Sequence, residues 1–159
     1  MEVQKKPMPA GMIIILVLEL LSILVLVGSL SGPLQIGPVV LTGLAAIFFG
    51  FFQIIVNGTV CFSIIKRPKW GWKFILGAYA FFIFIGIVSF LFFAFDKNTQ
   101  DTFFNLLASE LEAQNLDTSL SNEFFSIMFP FLLAALVFGI IVNIIIAVYV
   151  FKKKDFFEN

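Results

Sequence analysis

The sequence predicts an all-α fold: a four-helix transmembrane bundle, N-in/C-in, with a short amphipathic helix in the outer loop between spans three and four. Three observations predict it. Four apolar runs each reach the roughly 20 residues that a helix needs to cross hydrocarbon. The composition is 60% hydrophobic and 13% charged, with 23 Phe and a mean hydropathy of +1.06, whereas soluble domains carry about 25% charged residues. The cations, finally, gather on alternate connections between the runs. The whole chain, residues 1–159, reads as a single integral membrane domain.

The first run, 11–30, reads GMIIILVLELLSILVLVGSL and follows Lys5 and Lys6. A basic start before an apolar run also describes a signal peptide. This run, however, exceeds a signal core, holds Glu19, and ends in VGSLSGP without a clean small-x-small cleavage site, which predicts an uncleaved span. Ser31 to Pro38 (SGPLQIGP) reads as a tight, uncharged connection. The second run, 39–65, is longer than a bilayer needs and is expected to tilt or project. It stops at KRPKWGWK, where Trp70 and Trp72 have the character of interfacial anchors. The third span covers 72–95.

Residues 96–123 form the extended polar stretch, with six acids (Asp96, Asp101, Glu110, Glu112, Asp117, Glu123) against Lys97, a net charge of −5. Phe103, Phe104, Leu107 and Leu111 recur there at helical spacing, and Asp101 or Thr102 is placed to cap the start. A connecting helix that rests its apolar side on the membrane or on the span ends is the simplest reading; a partner-binding surface is the other. The fourth span, 124–151, has Pro130 near its start, where a missing N–H matters least. The tail KKKDFFEN closes the chain.

Orientation follows from charge. Lys5, Lys6, Lys66, Arg67, Lys69, Lys73, Lys152, Lys153 and Lys154 are nine of the ten cations, and they lie in the terminal segments and the second connection. Lys97 alone lies on the other side. The positive-inside rule therefore places both termini and the KRPKWGWK loop in the cytoplasm, and the acidic loop outside a cell membrane that the chain crosses several times. Lys66, Arg67, Lys69, Lys73, Lys152, Lys153 and Lys154 are thus topology determinants, with contact to anionic lipid heads as their other reading.

Glu19 is the only charge between Lys6 and Lys66. Charges at mid-bilayer cost about 2.5–3.5 kcal/mol each, so they face the bundle and find partners. Gln53 and Asn57, four apart on span two, share a face, and span four carries Asn143. At ~1.5 Å per residue Glu19 lies roughly 12 Å in from Gly11, and Asn57 and Asn143 lie roughly 13 Å in from Lys66 and Lys152. Tyr79 sits slightly nearer the same side. The expectation is one buried layer of Glu19, Asn57, Asn143, Gln53 and Tyr79. Stripes of small residues run along the same faces: Gly43, Ala46, Gly50 and Cys61 on span two, and Ala135, Gly139 and Ala147 on span four. The layer reads as packing that fixes helix register, with a proton or ion path through Glu19 as the alternative.

Several chemistries have no foothold. There is no His, which removes the commonest metal ligand and general base. The single cysteine, Cys61, gives no disulfide framework. No dinucleotide or phosphate loop, paired-cysteine metal pattern or Ser/His/Asp set occurs, so neither an enzyme nor a metal or cofactor site is expected. Zero net charge argues against nucleic acid. Asn57-Gly58-Thr59 fits a glycosylation sequon but lies inside a span. The Phe runs at 81–84 and 90–93 read as lipid-facing and packing surface.

Three segments, KKPMPAGMIIILVLELLSIL, KRPKWGWKFILGAYA and IVNIIIAVYVFKKKDFF, together resemble a broad group of small four-span prokaryotic integral membrane proteins of unknown function. The resemblance spans most of the four runs and leaves out 96–123. It implies the fold, the orientation and a bacterial or archaeal source, and no activity. The function expected from the residues is that of an accessory or structural subunit, with the lipid bilayer and a membrane protein, or a second copy, as partners. The alternative is a small proton- or ion-coupled transporter or channel using Glu19.

Overall fold

The computed structural model describes residues 7–30, 32–113 and 122–158, with side chains described outside 110–113, 122–126 and 158. The expectations for Lys5, Lys6 and Asp117, and for the side chains of Glu110, Leu111, Glu112 and Glu123, lie outside what is described. The elements in order are α1 (Ala10–Gly28), β1 (Leu34–Ile36), β2 (Val39–Leu41), α2 (Gly43–Lys66), α3 (Gly71–Phe95), α4 (Lys97–Ala113), α5 (Asn122–Lys152) and α6 (Asp155–Glu158). Among the described residues, four stretches, Ala10–Gly28, Gly43–Lys66, Gly71–Phe95 and Ile127–Lys152, are long and apolar enough to cross a membrane. Large apolar side chains such as Leu24, Phe48, Phe84, Phe131 and Phe138 are exposed along them. Water would not tolerate that much apolar surface, whereas acyl chains cover it at no cost. The chain has the character of a multi-pass membrane protein.

Packing divides the molecule into two compact units. One comprises Met1–Leu30, Phe49–Phe81 and Asn143–Asn159; the other comprises Ser31–Phe48 and Phe82–Val142. In the first unit the core consists of Met12 and Ile15 from α1, Val60, Cys61 and Ile64 from α2, Ile75 and Ala78 from α3, and Ile146 and Val150 from α5. Spacings of three and four put each set on one helix face. Gly11 of α1 lies under the Tyr149 side chain of α5, where a Cβ would collide with two ring carbons and the hydroxyl oxygen. Gly50 lies under Leu30 in the same way. Absent side chains at these two points let the elements approach closely.

The end of α2 is built around Arg67. Its N–H donates to Ser63 O at 3.0 Å and its φ is +56°, so it occupies the left-handed position that commonly closes a helix. Glycine usually fills that position, because a side chain there costs about 1–2 kcal/mol. Pro68 follows and prevents the helix from resuming, and Gly71 N–H donates to Pro68 O at 2.7 Å as α3 begins. The guanidinium of Arg67 stacks 4.1 Å over the Phe156 ring, an attraction worth about 0.5–2 kcal/mol that offsets the strain. The tail that closes the chain is therefore structured. Phe156 and Phe157 of α6 are both buried, with rings edge to face at 5.1 Å. Phe157 lies against Gly71, whose missing Cβ would sit 3.3 Å from the ring.

The second unit departs from the all-α expectation. SGPLQIGP is not a bare connection: Leu34–Ile36 and Val39–Leu41 pair antiparallel, Ile36 opposite Val39. The first residues of the second apolar run are therefore strand, and α2 begins at Gly43, whose φ of +55° redirects the chain. The hairpin turn is Gly37-Pro38. Gly37 has φ +59° and proline fixes its own φ near −65°, which excludes type I′ and leaves type II′. The hairpin is pinned to α3: Ser89 Oγ accepts from Gly37 N–H at 2.9 Å, and Ser89 O accepts from Gln35 Nε2 at 3.3 Å.

Asp96, rather than Asp101 or Thr102, caps α4. Its carboxylate accepts from Asn98 N–H at 3.2 Å and from Thr99 Oγ1 at 2.6 Å, while Asp101 and Thr102 lie exposed one turn inside the helix. Phe103, Phe104 and Leu107 are half-buried, and Phe93, Phe103, Phe104 and Phe129 form an aromatic cluster with ring separations of 5.3–6.5 Å. α4 also packs beside β2. Pro130 lies well inside α5, because that helix already begins at Asn122. Its ring removes one hydrogen bond from the helix ladder.

Candidate functional site

The buried face of α1 runs Met12, Ile15, Glu19, so Glu19 takes the next inward position after two apolar residues. α3 presents Ile75, Ala78 and Tyr79 inward, and α2 presents Asn57, Val60, Cys61 and Ile64. Glu19 and Tyr79 are 8% and 3% exposed, respectively. The Tyr79 hydroxyl donates a hydrogen bond to Glu19 Oε1. One turn along α1, Ser22 Oγ accepts from Asn57 Nδ2 at 3.1 Å. The two pairs tie α1 to α3 and to α2, through residues three apart on one α1 face. The buried thiol of Cys61 lies within electrostatic reach of Glu19.

The remaining members of the expected layer sit differently. Asn143 of α5 is half-buried, and no described hydrogen bond reaches it. The inward residues of that stretch of α5 are Ile146 and Val150, and of the small stripe Ala135 is exposed while Gly139 and Ala147 are half-buried. Gln53 is half-buried, yet its Oε1 is sealed off with no partner among the described residues; Ser63 Oγ, on a fully buried residue, is in the same position. Gly43 is exposed, whereas Ala46 and Gly50 are buried. Among the cations, Lys66, Lys69, Lys73 and Lys152 to Lys154 are exposed, and Lys73 Nζ lies 5.6 Å from the Trp72 ring centre. Arg67 is half-buried against Phe156.

No family model, curated protein or solved structure matches the chain. Its chemistry is therefore read from its own residues.

A carboxyl among a phenol, a hydroxyl, an amide and a thiol can hold or exchange a proton, and it can fix helix register. The sequence places Ser22 one turn from Glu19 on span one, and the structure adds its pairing with Asn57. Sequence reasoning missed Ser63, Phe156 and Phe157 as buried residues. Ser63 carries no distinguishing local signal. Phe156 and Phe157 could have been found as a bulky apolar pair directly after a basic stop, a position that lipid does not cover.

Proposed function

We propose that the chain is an accessory or structural subunit of a membrane assembly, of the small four-span prokaryotic kind its motifs resemble, without catalytic chemistry of its own. It crosses the cell membrane four times with both termini cytoplasmic and the acidic loop outside, where Phe103 and Phe104 of α4 rest on Phe93 and Phe129 at the span ends. Its partners are the bilayer and a larger membrane protein or a second copy; nucleic acid is not among them.

One observation carries this reading. The intramembrane polar groups nearest the centre of α1 are satisfied pairwise by neighbouring helices, Glu19 by Tyr79 and Ser22 by Asn57, while bulky apolar side chains cover the outward faces. Such an arrangement serves register and packing. Affinity purification of the tagged chain from native membrane in mild detergent tests it: a stoichiometric membrane-protein companion or a defined oligomer is expected, and a lone monomer contradicts it. Orientation is tested separately by labelling single cysteines at Ser109 and Lys153 with an impermeant thiol reagent, which should reach the first from outside intact cells and the second only after lysis.

The second reading, a proton- or ion-coupled transporter or channel, draws on the buried Gln53 Oε1, one turn from Asn57 and without a partner among the described residues. Proteoliposome flux that is present in wild type and lost in Glu19→Gln supports it; no flux in either leaves the accessory reading in place.

A further inference from the structure

Beside α6, a cavity of about 230 Å³ is lined by Pro7, Pro9, Lys152, Lys153, Asp155 and Phe156. Pro7 and Pro9 come from the segment just before α1, Lys152 and Lys153 from the end of α5 and the residue after it, and Asp155 and Phe156 from α6, all within one compact unit. Both adjoining apolar stretches end here, one beginning at Ala10 and the other ending at Lys152. The cavity therefore lies at the level where hydrocarbon gives way to headgroups. We propose that it binds the phosphodiester headgroup of an anionic glycerophospholipid.

Charge sets the class of ligand. Two ammonium groups against one carboxylate give the lining a net charge of +1, which suits a singly charged phosphodiester better than a dianionic or polyphosphorylated group. Lysine ammoniums are point charges that hold phosphate oxygens without demanding one geometry. Walls of two prolines and a phenylalanine offer apolar surface to the glycerol and the first acyl carbons. The volume falls below the roughly 300–1,000 Å³ of sites that enclose a whole drug-sized ligand, as suits a headgroup whose tails remain in the bilayer. Pro7 and Pro9 are stiff, so their wall is formed before binding and little ordering cost follows. This site is independent of the accessory role proposed above, and either stands if the other fails.

Native mass spectrometry of the purified full chain with added phosphatidylglycerol or phosphatidylcholine tests the proposal. Phosphatidylglycerol adducts should predominate, and the double variant Lys152→Gln/Lys153→Gln should weaken them by roughly tenfold or more, at about 1 kcal/mol per lysine. The control Lys66→Gln/Lys69→Gln removes the same charge from exposed positions outside the cavity and should leave the adducts within about twofold. Equal loss in the control, or equal binding of both lipids, overturns the site. Displacement of the lipid by inorganic phosphate at millimolar concentration assigns the cavity to free phosphate and overturns the lipid. Should the double variant fail to fold, amine acetylation of the wild-type chain decides: phosphatidylglycerol should protect Lys152 and Lys153 and not Lys66 or Lys69, and uniform protection contradicts the proposal.

Discussion

Replacing Phe157 by alanine, two residues from the end of the chain, should cost about 3 kcal/mol. The ring is 1% exposed, lies edge-on to Phe156 and rests against Gly71. Phe→Ala substitutions in packed cores cost about 3–5 kcal/mol, through lost transfer energy and the void left behind. A terminal four-residue helix can collapse partly into that void, which places the expectation at the low end of the range. A helix that short has no stability of its own, so the order of α6 derives from these two rings. Arg67 separates the contributions. Arg67→Ala loses the stacking on Phe156 and keeps the left-handed strain, whereas Arg67→Gly loses the stacking and relieves the strain. The glycine variant should therefore be the more stable by about 1 kcal/mol. Reversible unfolding by dodecyl sulfate titration in bicelles measures all three variants, and Trp70 and Trp72, in and just after the α2–α3 connection, report fluorescence close to the perturbed packing. A Phe157→Ala effect within the ±0.5 kcal/mol typical of surface changes would refute the packed α6.

Two further outcomes use the same preparation. Gly11→Ala drives a methyl into the Tyr149 ring and should destabilise by about 1–3 kcal/mol; Gly77→Ala meets open space and should be neutral or stabilising by up to about 1 kcal/mol. Asp96→Ala removes the cap of α4 at an expected cost of about 0.5–2 kcal/mol. Hydrogen exchange should show it as faster exchange at the Asn98 amide, which donates to the Asp96 carboxylate, and unchanged exchange there would place the cap elsewhere.

The four long helices were legible because each crosses some twenty residues without a charge other than Glu19, and only a helix satisfies its own backbone in hydrocarbon. What escaped depended on local signals too short to outweigh their surroundings. PLQIGPVVL holds three residues on either side of Gly37-Pro38, too few for alternation to show, and the strand VVL merges into the apolar run that follows it. The α4 cap was placed one turn late because polar residues begin at Asp96 but the apolar spacing begins at Phe103. Depth along a helix is countable from its ends, which is why Glu19, Asn57 and Tyr79 could be put near one level. Rotation about the axis is not countable in the same way. Whether Asn143 faces Glu19 or turns aside depends on how α5 packs, and Ile146, Val150 and the Tyr149–Gly11 contact set that rotation. KKKDFFEN drew no structural expectation because its charges outnumber its rings, although a buried face needs only the two rings.

The central claim is that the lone intramembrane carboxyl is held by the Tyr79 hydroxyl. A double-mutant cycle tests it most directly, with Glu19→Leu, Tyr79→Phe and the pair together, each measured by unfolding in bicelles. The account predicts a coupling of about 1–2 kcal/mol, the upper range for a hydrogen bond between membrane helices. Additive effects, agreeing within about 0.3–0.5 kcal/mol, would contradict it.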